Sequence, residues 1–431
     1  MGDFFDMLEN ASLDGLNSSF ADFKQQFDAL SDGSYIRKKD LKHRVQEGDV
    51  NKMWALLKLS RAISCNLLPY EPLKITYVLT PQISEELHLC DQDLTNIVRM
   101  SGTEAQEYVM EALSEEAIAS SKLEGAVTTE LVARRLLRKN IAPKNKDEQM
   151  IVNNHHAMQF IRDKGDKPLT IQFIQEIQRI VTKDTLKNPD DSGVFRTTDD
   201  VMVVDQSSGD IVHLPPKAED IPHLISALCD FVNADRNDGN QQFVHPLIVG
   251  IALHFLIGYI HPFYDGNGRT ARTLFYWYLL SRGYKLFEYI PISKVIKKSP
   301  AKYRNAYVAT EEDDLDLTYF IEYNVDCIRN ARKALIDHID NEKQRKRDAA
   351  LKISQLSDLS NKRQGGILQY MVEYKDEEFG IQEVADRFDV TYQTARTDLM
   401  HLEARGYLWV KKKGRAFYYS VDSEWRKSLG L

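Results

Sequence analysis

The sequence predicts a mainly α chain carrying two small β additions, and three observations point there. Long stretches repeat their apolar residues at helical steps, as Tyr108, Val109, Leu113 and Ile118 do between Thr103 and Leu123. The stretch Gln241–Tyr264 carries no formal charge yet holds three histidines and two prolines, which suits a buried central helix better than a membrane span. The β-branched runs come as isolated pairs around turns, which makes hairpins and not a large sheet.

In chain order, residues 1–100 read as an N-terminal helical extension. Amphipathic patterns cover Phe20 to Leu30 and Val50 to Ile63, and Pro69 and Pro72 break the connections. The helix from Thr103 to Leu123 ends where Gly125 can take the left-handed position after its last turn. Further helices follow, for instance Gln172 to Lys183. Val201–Val204 and Ile211–Leu214, flanking the turn-rich Asp205–Asp210, predict a hairpin with an exposed edge. The uncharged helix should stop at His261, because Pro262 disfavours helical dihedrals there and leaves the imidazole displayed at a corner. A helix through Arg269 and Arg272 comes next, then one opened by Ser299-Pro300, then one from Leu317 to His338.

The charged run Asn341–Asp348 marks a boundary or an exposed helix. Beyond it, short helices at Ile367–Tyr374, Ile381–Phe388 and Thr391–Arg405 precede two strands, Tyr407–Val410 and Ala416–Val421, around a basic turn at Lys411–Arg415. Helix-turn-helix plus hairpin resembles a winged helix. Tyr392, Gln393, Thr394 and Arg396 would face a duplex, but charges over residues 341–431 sum to only about +3, so a protein-binding or dimer module is equally open.

At 431 residues the chain is long enough for two or three domains, and its net charge of −8 argues against a protein that coats nucleic acid throughout. Cys65, Cys90, Cys229 and Cys327 lack metal-ligand or CxxC spacing and read as thiols in a reducing, cytoplasmic compartment. The acidic start is unlike a signal peptide, and Asp6 stands where a myristoylation motif wants Ser or Thr.

Chemistry concentrates in His261-Pro-Phe-Tyr-Asp-Gly-Asn-Gly-Arg-Thr-Ala-Arg272. Gly266-Asn267-Gly268 can aim backbone N–H groups into one concavity at a helix start, which makes an anion cradle. Arg269 and Arg272 lie three apart and would present two guanidinium forks to neighbouring phosphates. Asp265 could link a hard cation to phosphate oxygens, and His261 could take a proton from an incoming hydroxyl.

These twelve residues resemble the Fic motif, HPFx(D/E)GNGRxxR, at every specified position. The resemblance implies an adenylyltransferase that moves AMP from ATP to a Ser, Thr or Tyr hydroxyl of a target protein, or of itself. His261 would be the base, Asp265 the ligand of Mg²⁺ or Mn²⁺, and Gly266, Asn267, Gly268, Arg269 and Arg272 the phosphate contacts. Tyr303 and Asn305 fall where the family lines its adenine pocket. Ser120-Ser-Lys-Leu-Glu124-Gly125 resembles the family's inhibitory motif, (S/T)xxxE(G/N), whose glutamate pairs with the second motif arginine. Ile211, Val212, His213 and Leu214 match the flap that holds a target segment by strand addition.

The implied organisation is an extension over 1–100, a Fic domain over 101–345 with its inhibitory helix at about 103–125, and a winged helix-turn-helix over 346–431. Homodimerisation is open, and so are two other functions: a nucleotide-sensing, DNA-binding regulator, and a hydrolase that removes AMP from modified proteins. No membrane contact is expected.

Overall fold

The computed structural model describes residues 35–45, 50–96, 103–163, 167–204, 209–234, 242–373, 378–414 and 416–430. The expected helix Phe20–Leu30 lies outside the described residues. Two compact units divide at Arg332 and Lys333.

The first unit begins with α1 (Lys38–Leu41), α2 (Val50–Ser64), the two-residue strands β1 (Asn66–Leu67) and β2 (Thr76–Tyr77), and α3 (Pro81–Asn96). Then come α4 (Thr103–Leu123), α5 (Glu130–Arg138), α6 (Lys146–Asp163) and α7 (Ile171–Thr182), the hairpin β3 (Val203–Val204) and β4 (Ile211–His213), and α8 (Ile221–Asn233). At the centre stand α9 (Pro246–Ile260) and α10 (Asn267–Ser281), followed by α11 (Ile292–Ile296), α12 (Pro300–Glu312) and α13 (Thr318–Ser354).

Helix α9 is apolar all round because it is covered all round: Leu247, Ile251, Leu253, Leu256 and Ile257 have no exposed surface. Its 15 residues fall short of the roughly 20 that cross a bilayer. Among the described residues no helix is long and apolar enough to do so. Pro246 at its first turn needs no N–H partner there, and the His245 side chain caps the start by accepting from Leu247 N at 3.1 Å.

The last helix of the first unit does not stop at His338. It runs on through the charged segment Asn341–Asp348, which is therefore exposed helix, and the unit division falls inside it.

In the second unit α14 (Lys362–Glu373), α15 (Ile381–Arg387) and α16 (Tyr392–Ala404) surround a three-stranded sheet ordered β5 (Phe379–Gly380), β7 (Ala416–Val421), β6 (Leu408–Lys413), and α17 (Ser423–Ser428) closes the chain. Strand β5 and helix α17 escaped the sequence patterns, both being too short to show a period. Lys411–Lys413 are strand residues paired with Tyr418, Phe417 and Ala416, and not the turn residues expected. Val384, Ala395, Leu399 and Leu402 form this unit's core with Ile367 and Leu368.

Candidate functional site

The corner after α9 sets the His261 imidazole. His261 donates its backbone N–H to Ile257 O at 3.1 Å, completing the last turn, and takes φ 50° and ψ 56°. Pro262 thus ends the helix as expected, but the left-handed region replaces an extended one because the chain still closes that turn. His261 Nδ1 lies 3.2 Å from Gly258 O, an acceptor only, so Nδ1 carries the proton and Nε2 keeps the lone pair. The side chain is half-buried, not displayed. Burial pushes the imidazole down to about 4, against the opposing pull of the Gly258 bond.

The turn is built by side chains folding onto backbone. Asn267 Oδ1 accepts from Phe263 N at 2.9 Å while its Nδ2 donates to Phe263 O at 2.7 Å. Its side-chain amide therefore staples the loop, and the contact expected of Asn267 with a phosphate is left to its backbone N–H. Gly266 has φ 85°, and a Cβ there would collide with Thr182 Cγ2, so the position excludes any side chain on two grounds. Gln178 braces the turn from behind, donating to Asp265 O at 3.1 Å and accepting from Gly193 N at 2.5 Å. Helix α10 starts at Asn267 with no side-chain cap, which leaves its first N–H groups open to an anion.

An anion already stands there. A methyl group on Gly268 would overlap Glu124 Oε1, so that carboxylate lies directly over the start of α10. Arg272, 3 % exposed, donates to Glu124 Oε1 at 2.7 Å, to Ser120 Oγ at 2.8 Å and to Ser120 O at 3.1 Å. Burial alone would raise the Glu124 carboxyl, but Arg272 and Arg269 outweigh it and hold the group below the usual carboxylate range. Burial likewise opposes the Arg272 charge, and Glu124 overrides it in the raising direction. Gly125, at φ 93°, ends α4 as expected and turns the chain away directly after the glutamate.

Arg269 does not form a second fork beside Arg272. It is 1 % exposed and donates to Val181 O and, at 3.2 Å, to Asp265 Oδ1, while its buried Nε has no partner. Asp265, tied to Arg269 through Oδ1, is half-exposed. Among the described residues no group of three or more His, Cys, Asp or Glu could hold a metal, so a cation at Asp265 would need ligand oxygens to complete its shell.

Two further side chains escaped the sequence reading. Glu116, buried two turns before Glu124 on the same face of α4, accepts from Tyr276 Oη at 2.7 Å and Ser293 N at 2.9 Å, and burial raises its carboxyl. The repeat of Glu116, Ser120 and Glu124 every four residues was the available signal. Arg196, 2 % exposed, ties the chain before β3 to the motif loop: its Nε donates to His261 O at 2.9 Å, its N to Pro262 O at 2.9 Å, and its Nη2 to Pro216 O.

The hairpin forms as expected between Val203–Val204 and Ile211–His213, with a register shift. Ile211 and Leu214 are exposed and Val212 half-buried, whereas the His213 side chain turns inward, away from any docking face. Tyr303 and Tyr307 are also turned to packing. Tyr303 Oη lies 2.8 Å from His254 Nε2, and Tyr307 packs on Phe320 at 4.4 Å between ring centroids. Asn305, the other residue expected to line an adenine pocket, is half-buried on α12.

Residues 168–279 match the model of the Fic/DOC family. Curated relatives include the protein adenylyltransferase Fic of Nematostella vectensis, 28% identical over 182 residues, covering 41% of this chain and 39% of the relative. The protein of the same name from Drosophila willistoni is 28% identical over 210 residues, covering 48% and 38%. The chain thus spans about two fifths of the length of these relatives. Among solved structures, a Fic family protein from Desulfovibrio desulfuricans G20 superposes with TM-score 0.54 at 17% identity, over 80% of this chain and 98% of that one. Fic-1 from C. elegans superposes with TM-score 0.51 at 17% identity, over 71% and 82%.

Proposed function

Since the chain carries a Fic domain, we propose that it is a protein adenylyltransferase, moving AMP from ATP to a hydroxyl side chain, with Glu124 holding it inactive. The observation that carries this reading is the Glu124 carboxylate lying over the start of α10 and bonded to Arg272 at 2.7 Å. A carboxylate resting there occupies ground suited to a phosphate. ATP can seat its terminal phosphate against Arg272 only as Glu124 withdraws.

With Glu124 displaced, the open N–H groups of α10 and Arg272 hold the triphosphate. His261 Nε2 takes the proton of a Ser, Thr or Tyr hydroxyl. The hydroxyl oxygen forms a bond to the α-phosphorus, the bond from α-phosphorus to the bridging oxygen breaks, and pyrophosphate leaves with the electron pair. Neutral His261 suits the role, because burial keeps it unprotonated above about pH 4. Asp265 would hold Mg²⁺ or Mn²⁺, which supplies neutralisation of phosphate charge when bound. The exposed side of the hairpin, with Ile211 and Leu214, offers a strand edge for a target segment or for a segment of the chain itself. Free cysteines throughout the described residues fit a reducing compartment such as the cytoplasm.

The sensor alternative rests on duplex binding by the winged helix-like second unit, with Tyr392, Gln393 and Arg396 exposed on α16. It is weakened by Glu378, which pairs with both Lys411 and Lys413 on the expected wing.

The test is incubation of the Glu124→Gly chain with ATP labelled at the α or at the γ position, plus Mg²⁺. Covalent label from the α position alone is expected. Absence of α label, with the chain still binding ATP, contradicts the transferase and favours the sensor.

A further inference from the structure

Helices α4 and α10 run antiparallel and meet in three rungs, each one turn from the next. Just past the end of α4, Glu124 Oε1 lies over Gly268. One turn back, Ser120 Oγ accepts from Arg272 Nε at 2.8 Å, and a turn further back Glu116 Oε2 accepts from Tyr276 Oη at 2.7 Å. Every four residues down α4 thus answer four residues up α10, which fixes direction and register together.

The middle rung alone leaves that register undecided. Ser120 has a carboxylate one turn to either side, Glu116 and Glu124, and while burial opposes the Arg272 charge both carboxylates favour it. Of the two, Glu124 is the one bonded to Arg272, at 2.7 Å. Glu116 is claimed by other donors. Its Oε2 accepts from Ser293 N at 2.9 Å as well as from Tyr276, and its Oε1 accepts from Ser293 Oγ. Tyr276 is fixed in turn, since its Oη accepts from Ile292 N at 2.8 Å. One buried carboxylate therefore joins α4 to α10 and to α11.

We propose that Glu116 is a positioning residue of the resting state: by binding Tyr276 and Ser293 it sets α4 in the register that delivers Glu124 to Arg272 and to the start of α10. A slip of one residue along α4 moves a side chain by about 1.5 Å and turns it by roughly 100°, which takes Glu124 off both partners. None of the bonds made by Glu116 reaches His261, Asp265 or the hairpin, so its loss loosens the inhibitory contact without removing a group that serves transfer. This rests on the reading of Glu124 as the group that holds the site closed, and adds what places it there.

The test is a cycle on the full chain: the unaltered sequence, Glu116→Ala, Glu124→Gly and the double variant. Each is titrated with ATP and Mg²⁺ in a calorimeter and assayed for incorporation of label from α-labelled ATP. With Glu124 present, Glu116→Ala should raise ATP affinity and transfer by roughly 3- to 10-fold, the worth of one or two hydrogen bonds. In the Glu124→Gly chain the same substitution should change neither, whereas loss of a merely structural side chain would weaken both chains alike. Tyr276→Phe, which removes only the hydroxyl from the same rung, should repeat the pattern, and it decides the question if Glu116→Ala does not fold. Activation by Glu124→Gly with none from Glu116→Ala or Tyr276→Phe, or equal effects of these two substitutions in both backgrounds, overturns the proposal. The expected pattern in ATP affinity with no α label from any chain supports it and overturns the transferase reading. Silence of Glu124→Gly in both assays overturns the inhibitory role of Glu124, and this proposal with it.

Discussion

Replacing Glu124 by glycine removes a carboxylate whose contacts define the resting site. The pair with Arg272 is short, at 2.7 Å, and Arg272 is almost wholly covered. A hydrogen bond to a charged group of this kind contributes about 1.5–3 kcal/mol. ATP must displace that contact before its terminal phosphate can meet Arg272, so its removal should raise the rate of transfer by roughly 10- to 100-fold, at about 1.4 kcal/mol per decade. Stability should move the other way. Loss of one partner from a buried ion pair costs about 3–5 kcal/mol when the remaining charge is stranded. Here Ser120 Oγ and Ser120 O still hold the guanidinium, so the cost should be nearer about 1–3 kcal/mol. The assay is incorporation of α-labelled AMP over time beside thermal unfolding of the same preparations. Glu124→Gln, which keeps the shape but loses the charge, should fall between. An unchanged rate in Glu124→Gly, with the expected loss of stability, would refute the inhibitory role while leaving the ion pair intact as structure.

Other outcomes follow from the same contacts. In the Glu124→Gly background, His261→Ala should lower transfer by about 10²- to 10⁴-fold with ATP affinity retained, as read by titration calorimetry. Because burial lowers His261 to about 4, its base form persists down to that pH, and the acid limb of the rate should lie near pH 4 and not near 6.5. Glu124 is depressed in the folded state, so its contribution to stability is present above the ordinary carboxyl range and is lost as pH falls. Acid unfolding of Glu124→Gly should lack that component in a pH series of melting curves. Gly268→Ala should expel Glu124 yet fail to activate, since the same methyl fills the anion site; ATP binding and label incorporation should both fall. Asn267→Ala removes two bonds to Phe263 and should cost about 2 kcal/mol of stability in denaturant titration.

What the sequence disclosed was what local rules control. The ends of α9 and α10 follow from Pro246, Pro262 and the glycine turn, and the Glu124–Arg272 pair was legible because a recurring motif links two distant segments. The orientations of side chains were not legible. The side-chain amide of Asn267 shows its part only once the loop folds back and Phe263 claims both of its ends. Arg269 and Arg272 share a helical face by spacing, yet Val181 and Asp265 draw one aside while Ser120 and Glu124 take the other. Gln178, Arg196 and Glu116 act through partners between 15 and 177 positions away, which no window along the chain displays. His213 belongs to a strand whose alternation tells which way it points only once α9 and α12 are in place.

The most direct measurement is a crystal structure of the Glu124→Gly chain with Mg²⁺ and an ATP analogue that resists cleavage between the α- and β-phosphates. The terminal phosphate should lie on the first N–H groups of α10 against Arg272, in the place of the Glu124 carboxylate, with the α-phosphorus open to attack on the side of His261 Nε2. A nucleotide bound elsewhere, with Arg272 still turned to Ser120 and the start of α10 bare, would contradict the account.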